Sequence, residues 1–172
     1  MSNGRDWKRQ MLTRQQAVEL WNRNDLVALG LEADAVRKRL HPESIVSYTL
    51  SPEEAVFEHV FLGGAEERVD RLAELSHTRI TVFRPLVAAG ATGVEYLKTV
   101  ALSRLFLDDV PHIQGSTKLF GLKVAQVSLR FGADDLELAE GVVTEEELRR
   151  LIREAGFVPK QRDALFRTYS IA

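Results

Sequence analysis

The sequence predicts an α/β fold, a partial (βα) barrel of about four mainly parallel strands with an N-terminal helical hairpin and a C-terminal helix. Short runs rich in β-branched and aromatic residues alternate with longer segments of helical periodicity. Such alternation is typical of parallel strands joined by right-handed crossovers. About four strands cannot close a barrel, which takes eight in this type of fold.

The composition is that of a globular chain with a core of its own. Its 172 residues are 45% hydrophobic, and 23 basic side chains stand against 25 acidic ones, for a formal charge of −2. A chain so close to neutral lacks the broad positive field that attracts nucleic acid or an anionic membrane. No apolar run approaches the roughly 20 residues of a membrane span. We therefore expect one cytoplasmic domain, residues 1–172, that binds neither nucleic acid nor membrane.

Residues 13–40 are predicted to form the helical hairpin. Thr13 precedes Gln16 by three positions, which is the spacing of a capping box, and apolar residues then recur at helical intervals. The second helix ends at His41-Pro42, because a residue before proline disfavours the helical conformation. The same capping spacing marks three further helix starts: Ser51 with Glu54, Thr92 with Glu95, and Thr144 with Glu147.

Residues 44–135 are predicted to form the partial barrel. The four strand segments are SIVSYTL from Ser44, VFEHVFL from Val56, RITVFRPLV from Arg79 and HIQGS from His112. Helices are predicted over residues 63–76, 92–110 and 118–131, and the apolar residues of the third favour burial on most of its sides. Residues 144–172 form a helix ending at Gly156 and a tail, predicted to dock as a short strand or extended segment because it carries Leu165, Phe166 and Tyr169.

The chain contains no cysteine, which excludes disulfides, thiolate metal sites and cysteine nucleophiles. Its four histidines are His41, His59, His77 and His112. They lie far apart in the sequence and show none of the helical spacing of a metalloprotease motif. We therefore predict structural or surface roles for the histidines, no metal site and no catalytic residue.

Long stretches of the sequence resemble one enzyme family. They are LTRQQAVELW and DLVALGLEADAVRKRLHPESIVSY near the N terminus, then ATGVEYLKTVALSRLFLDDVPHIQGSTKLFGLKVAQVSLRFGADD and VTEEELRRLIREAGFVPKQRDALFRTY. These stretches resemble the cyclic dehypoxanthinyl futalosine synthases, radical S-adenosylmethionine enzymes of the futalosine route to menaquinone. The aminofutalosine synthases of the same route are similar as well.

The resemblance breaks at the position where the family holds its cofactor. In the family, the strand that SIVSYTL resembles runs into a CxxxCxxC loop whose thiolates hold a 4Fe–4S cluster that binds S-adenosylmethionine. Here Leu50 is followed at once by SPEEAVFEHVF. We therefore expect neither the cluster nor S-adenosylmethionine to be a cofactor of this chain.

The resemblance also implies a substrate pocket at the carboxyl end of a barrel strand. Gln114 and Ser116 match the family's Gln-Ala-Ser run, with Gly115 where alanine is usual. Asp134 and Asp135 match its Gly-Ala-Asn-Asp turn, with Asp134 where asparagine is usual. These four are the candidate ligand-binding residues, although two adjacent aspartates after a helix also fit a solvated turn or an N-cap for the segment that follows.

Three further pairs of neighbours are candidates for a role. Glu58 and His59 could transfer a proton, but neighbours on a strand point to opposite faces. Arg84-Pro85 is interpreted as structural. Arg162 and Asp163 resemble a C-terminal Arg-Asp pair of the family that would tie down the tail.

Two functions fit this sequence. One is a non-catalytic paralogue or remnant of the family that binds a futalosine-type, nucleoside-like intermediate or a partner enzyme. The other is one component of a split synthase whose cluster-binding half, a partner radical S-adenosylmethionine protein, is another chain.

The open sheet also bears on assembly. Its inner face is predicted to be apolar through Ile80, Val82 and Ile113, and such a face needs a cover. A homodimer formed face to face is expected, the alternative being that the hairpin of residues 13–40 folds over the open side.

Overall fold

The described residues form one sheet with helices packed against one of its faces, called here the outer face. The computed structural model describes residues 12–50, 56–107, 109–163, 166 and 168–169. The helices are α1 Arg14–Asn22, α2 Leu26–Leu40, α3 Ala65–Leu75, α4 Gly93–Phe106, α5 Gly121–Ser128 and α6 Glu145–Glu154. The strands are β1 Ile45–Tyr48, β2 Val56–Phe61, β3 Val82–Val87, β4 His112–Gly115, β5 Asp135–Leu136, β6 Val158–Arg162 and β7 Thr168–Tyr169. The predicted α/β class is confirmed.

The strand order is β2-β3-β4-β5-β1-β6-β7. β1 lies parallel to β5, and the described sheet ends at β2 on one edge and at β7 on the other. β6 runs parallel along the other edge of β1, and β7 is antiparallel to β6. The sheet thus has more strands than the four predicted, and the additional ones include β5 and β7, of two residues each.

The predicted helix starts are confirmed wherever they can be compared. Thr13, Thr92 and Thr144 each accept a hydrogen bond from the backbone N–H three residues on, and the side chain at that position accepts one from the cap N–H in return. These reciprocal bonds satisfy two backbone donors that would otherwise lack partners. The pair Ser51 and Glu54 lies outside the described residues.

Successive side chains of the strands divide between two faces of the sheet. The outer face, covered by the helices, buries a set of apolar side chains: Val46, Phe61, Phe83, Ile113 and Leu136. The opposite, inner face carries the neighbours of these residues in each strand. Ile113 was predicted for the inner face and lies on the outer one, so the expectation of an apolar inner face is wrong for β4, where Gln114 points inward.

The N-terminal hairpin belongs to the helix layer. α1 packs against α3 and α4, and α2 packs against α4. The ring of Trp21 in α1 lies 4.9 Å from the Arg68 guanidinium carbon and 4.5 Å from Lys98 Nζ. The hairpin therefore does not cover the inner side of the sheet, contrary to the alternative considered from the sequence.

Helix α5 is shorter and more exposed than its sequence suggested. Its buried residues are Ala125 and Ser128, whereas Val127 is exposed. It is a surface helix with one buried face, so the prediction of burial on most sides is wrong. None of the described helices has the combination of length and apolar character that crossing a membrane would require.

The described part of the C-terminal tail pairs with the central sheet. β6 pairs with β1 over four residues, from Val158 beside Ile45 to Gln161 beside Tyr48. Phe166 contacts Arg162, with the guanidinium carbon 4.0 Å from the ring centre. Leu165 lies outside the described residues.

Candidate functional site

A row of polar side chains crosses the inner face of the sheet, one from each parallel strand. The strand register places Glu58 beside Arg84, Gln114 beside Asp135, and Asp135 beside Ser47. The row, called here the polar row, consists of Glu58 in β2, Arg84 in β3, Gln114 in β4, Asp135 in β5, Ser47 in β1 and Arg162 in β6.

Hydrogen bonds connect the polar row from end to end. Arg84 donates from Nη1 to Glu58 Oε2 at 2.7 Å and from Nε to Gln114 Oε1 at 2.5 Å. Gln114 Nε2 then donates to Asp135 Oδ2 at 2.8 Å. The amide of Gln114 therefore joins an arginine and a carboxylate, because it accepts with its oxygen and donates with its nitrogen.

Asp135 is the centre of the buried half of the row. Arg162 donates to it from Nε at 2.8 Å and from Nη2 at 2.6 Å, and Ser47 Oγ donates at 2.6 Å. The Asp135 and Arg162 side chains are 0% and 1% exposed. A charge removed from water is tolerated only when it is paired and hydrogen-bonded, and this arrangement provides both.

The polar row becomes accessible toward β2. The Glu58 side chain is 47% exposed and that of Arg84 is 12% exposed, whereas Gln114 is fully buried. Glu58 and Arg84 are therefore the members of the row that a ligand can reach from solvent.

A second polar group lies just beyond the carboxyl end of β4. Ser116 Oγ donates to Glu137 Oε2 at 2.9 Å, and the exposed Lys118 places its Nζ 3.2 Å from Glu137 Oε1. The Ser116 N–H donates to the Tyr96 hydroxyl at 2.8 Å. Burial raises the pKa of Tyr96 to about 12, so the phenol stays neutral at physiological pH. Lys118 is the reachable member of this group.

Asp134 lies at the other end of the strands. It precedes β5, so it stands at the amino ends and not at the carboxyl end where the resemblance placed the pocket. Its Oδ1 accepts from Arg104 Nη2 at 2.5 Å and from the Ile113 N–H at 2.9 Å. Burial alone would raise the pKa of Asp134, but Arg104 and the nearby histidines outweigh burial and lower the pKa to about 2.

The four predicted ligand-binding residues therefore divide into three places. Gln114 and Asp135 are hydrogen-bonded to each other, Ser116 joins Glu137, and Asp134 faces the amino ends of the strands. The solvated-turn alternative for the two aspartates is wrong, because Asp134 is 3% exposed and Asp135 is 0% exposed.

Several members of the polar row are not among the site residues predicted from the sequence. The sequence favours a structural role for Arg84, and it suggests Glu58 only as a partner of His59. One sequence feature could have indicated them. Glu58 and Arg84 are each the third residue of a largely apolar strand segment, VFEHVF and VFRPLV. His59 does lie on the opposite face from Glu58, since its ring contacts Phe61 at 4.8 Å between ring centres.

Comparison with known proteins places the chain in a family. Residues 74–172 match the family described as the CofH/MqnC C-terminal region, and the match covers more than half of the chain. The chain belongs to this family. The matched residues include β3 to β6 and therefore four of the six strands that form the polar row.

Individual relatives agree with this placement. The chain is 48% identical over 84 residues to the cyclic dehypoxanthine futalosine synthase of Streptomyces coelicolor, covering 42% of this chain and 21% of the relative. It is 37% identical over 91 residues to the aminodeoxyfutalosine synthase of the same organism, covering 44% and 24% of the two chains.

Another relative has a different activity in its name. The 5-amino-6-(D-ribitylamino)uracil–L-tyrosine 4-hydroxyphenyl transferase of Methanothermobacter thermautotrophicus is 37% identical over 107 residues, which cover 53% of this chain and 29% of the relative. The chain thus spans less than a third of the length of these curated relatives. The resemblance of its first 50 residues to the family's N-terminal helices stays a prediction.

The residues of this chain do not fit the 4Fe–4S cluster that the resemblance implies. Such a cluster is held by cysteine thiolates, and the chain has none. β1 ends at Tyr48 and continues into Thr49 and Leu50, neither of which carries a soft ligand. The chain cannot supply the ligands of the cluster itself.

Proposed function

We propose that this chain is a non-catalytic paralogue or remnant of the family that acts in the cytoplasm and binds a nucleoside-like intermediate or a partner enzyme. One observation carries the proposal: the polar row is complete and hydrogen-bonded across six strands of a chain that has no cysteine. A preformed polar surface without the thiolates for radical chemistry is suited to binding alone.

The reachable groups favour a ligand that carries hydroxyls and a heterocycle. Glu58 offers carboxylate oxygens, and carboxylates commonly accept hydrogen bonds from ribose hydroxyls. Arg84 and Lys118 add hydrogen-bond donors. Futalosine-type nucleosides have this chemistry, and so does the ribitylaminouracil in the name of the archaeal relatives.

A futalosine-type nucleoside should raise the melting temperature of the purified chain, because a ligand that binds only the folded state stabilises it by mass action. At a hundredfold excess over Kd the gain is about 2.7 kcal/mol, or roughly 5–10 °C for a chain of this size. Glu58→Gln should reduce the shift without unfolding the protein, since Glu58 is half exposed. Differential scanning fluorimetry measures both effects, and ribitylaminouracil serves as the second test ligand.

Glu74→Gln is the matched control for that experiment. Glu74 in α3 pairs with Arg71 Nη1 at 2.6 Å, much as Glu58 pairs with Arg84 Nη1 at 2.7 Å, but on the helix layer. The Glu74 variant should keep the full shift. If neither ligand moves the melting temperature of the unmodified chain at millimolar concentration, small-molecule binding is excluded and a partner-binding role is favoured.

The split-synthase function has one observation in its favour. Among the described residues, β2 pairs with β3 alone, so one edge of β2 is open to strands of another chain. Against it, β6 occupies the edge of β1 where the family's next strand would follow. Co-expression with a CxxxCxxC-containing chain decides: a stable complex that holds a 4Fe–4S cluster after anaerobic reconstitution supports the split enzyme, and no complex rejects it.

We also propose that the chain forms a homodimer. Among the described strands only β3 pairs with β2, which leaves the other edge of β2 available for pairing, and the nearby Val60 and Leu62 are exposed apolar residues. Light scattering after size exclusion should give twice the 19.4 kDa of one chain. Val60→Lys should shift the mass to that of the monomer, because lysine on an edge strand opposes pairing. A stable monomer of the unmodified chain over about a hundredfold dilution would refute the dimer.

A further inference from the structure

Two histidines and an aspartate that are far apart in the sequence meet at the amino ends of the strands. The ligand atoms of His41, His112 and Asp134 all lie within 4.8 Å of one another. His41 Nε2 is 3.4 Å and His112 Nδ1 is 2.5 Å from the same oxygen, Asp134 Oδ2. The two imidazole rings are stacked, with ring centres 4.8 Å apart. Both rings therefore present a nitrogen to one carboxylate oxygen.

The cluster, called here the His-His-Asp cluster, opens into a cavity. The cavity has a volume of about 280 Å³, which is room for water or a small ligand beside the three side chains. Its other lining residues are Leu40, Pro42, Glu43, Ile45, Ser47 and Phe166. Glu43 is exposed at the rim and adds a second carboxylate to the entrance.

We propose that the His-His-Asp cluster binds a divalent transition-metal ion of the zinc class. His41 Nε2, His112 Nδ1 and Asp134 Oδ2 are its three protein ligands, and the remaining coordination positions face the cavity. Imidazole nitrogen and carboxylate oxygen are ligands that zinc accepts, and three protein ligands with an open position are typical of accessible zinc sites.

Two of the three distances between the ligand atoms can be compared directly with those the ion requires, and the third, between the two histidine nitrogens, lies within 4.8 Å. Ligand bonds of about 2.0–2.2 Å in a tetrahedral arrangement place ligand atoms roughly 3.3 Å apart. The separation of His41 Nε2 and Asp134 Oδ2 is already 3.4 Å. His112 Nδ1 has to move away from Asp134 Oδ2 by less than about 1 Å, which a small rotation of the ring provides.

Surrounding contacts hold the carboxylate in the orientation that binding needs. Arg104 Nη2 and the Ile113 N–H both donate to Asp134 Oδ1, which leaves Oδ2 directed at the histidines. Arg104 is itself fixed by Nε donating to the Gly132 carbonyl oxygen at 2.7 Å. The His112 ring is stacked on Phe166 with ring centres 3.7 Å apart. Outer contacts of this kind orient ligands and strengthen metal binding.

The imidazole rings can make the nitrogens that face the carboxylate available to a metal ion. His41 Nε2 lies 2.5 Å from the Pro111 carbonyl oxygen, so a proton on Nε2 is donated there when no ion is bound. A neutral imidazole keeps one proton on either of its two nitrogens. Moving that proton to the other nitrogen gives the lone pair that a metal needs, and the ring remains neutral.

Titration of the metal-stripped chain with Zn²⁺ tests the proposal directly. Isothermal titration calorimetry should show one Zn²⁺ per chain, Co²⁺ should give the visible absorption bands of a four-coordinate ion, and Mg²⁺ should not compete because it prefers all-oxygen sites. His112→Ala should weaken Zn²⁺ binding more than tenfold. Mutating a residue that only supports a metal ligand already lowers metal affinity by 10–100-fold, and His112 is proposed as a ligand itself. His77→Ala, at an exposed histidine of the helix layer, should bind like the unmodified chain.

Two results would overturn the metal site. One is the absence of stoichiometric Zn²⁺ after gel filtration of the loaded chain, and the other is unchanged affinity in both His112→Ala and His41→Gln. Circular dichroism checks folding, and if His112→Ala does not fold, His41→Gln decides, because His41 is only partly buried. The Zn²⁺ titration contains no nucleoside, and its three proposed ligands are not members of the polar row, so its outcome is separate from that of the nucleoside experiment.

Discussion

Replacing Asp135 by alanine should destabilise the protein by about 3–5 kcal/mol, because the substitution leaves a buried arginine charge without its partner. Arg162 is 1% exposed and donates two hydrogen bonds to Asp135. Gln114 Nε2 and Ser47 Oγ also lose their acceptor. Since natural domains are stable by about 5–15 kcal/mol, the variant should lose about a fifth or more of its stability.

Asp70→Ala is the matched control for Asp135→Ala. Arg14 donates to Asp70 from Nε at 2.6 Å and from Nη2 at 3.2 Å, which is the same two-point geometry. The difference is exposure, because both side chains of this pair are 53% exposed. The Arg14 guanidinium lowers the pKa of Asp70 through a side-chain hydrogen bond. Water replaces the lost partner at such a site, so the urea midpoint should hardly change.

A double substitution separates the cost of leaving a buried charge unpaired from the cost of changing the packing. Asp135→Leu combined with Arg162→Met removes both charges and should be much more stable than Asp135→Leu alone, because apolar replacement of a whole buried pair is often close to neutral. Urea unfolding followed by circular dichroism gives the three stabilities. If Asp135→Ala lowered the midpoint no more than Asp70→Ala, the buried half of the polar row would have no structural role.

Local chemistry explains which elements could be predicted from the sequence. The capping boxes at Thr13, Thr92 and Thr144 depend on residues three positions apart, so the sequence alone contains the whole signal. The strands β2 and β3 are predictable for a similar reason, since six residues of apolar and β-branched character are a sufficient run.

The short strand β5 could not be predicted because its stability comes from its neighbours. It has two residues, and its partners β4 and β1 are more than 20 and more than 80 positions away in the sequence. The alternation in Asp135, Leu136, Glu137 and Leu138 is the available signal, but it comes soon after α5, behind a glycine-containing turn, and therefore resembles part of that turn. A strand this short forms only between two strands that already exist.

The sites were harder to predict than the elements, because they depend on strand register. Arg84, Gln114 and Asp135 meet only when three strands are aligned at one level. The His-His-Asp cluster depends on the same alignment, with His41 contributed by the end of the hairpin. Histidines that look isolated along the sequence can therefore form a cluster, as His41 and His112 do.

The inner face of the sheet also corrects the physical argument for assembly. Charged and amide side chains occupy the middle of that face, so covering it does not resemble covering an apolar patch. The open edge of β2 and the apolar residues near it are the features that favour a second chain. In a dimer that pairs along β2, Glu58 and Arg84, the accessible residues of the polar row, would lie next to the second chain.

Replacing Gly115 by alanine, the residue that the family resemblance places there, should destabilise this chain by about 1–2 kcal/mol. A Cβ atom at position 115 would lie 2.6 Å from Ser128 Oγ and 2.9 Å from Leu136 Cδ2. Overpacking of a buried site costs about 1–3 kcal/mol, and the gain from restricting the unfolded chain offsets about 0.4–1 kcal/mol of that. The expected loss is a melting temperature lower by roughly 2–8 °C.

Ser128→Ala should rescue Gly115→Ala, because the closer of the two contacts is to the serine oxygen. The Ser128 Cβ lies 3.7 Å from the position that the new methyl group would occupy, which is ordinary contact, and the Leu136 methyl can rotate away. By itself Ser128→Ala removes only a hydrogen bond to the Ala125 carbonyl within α5, so its own cost should be small. In the double variant the loss of unfolding free energy should therefore be smaller than the sum of the two single losses, as expected for residues in contact.

Urea unfolding measures the stabilities of the single and double variants. If the losses are additive, contact with Ser128 is not the reason that alanine at position 115 is destabilising, and the cause lies in β4 itself. Rescue would instead mean that α5 lies closer to β4 than a Gln-Ala-Ser run would allow. Glycine at position 115 and the close packing of α5 against β4 would then depend on each other.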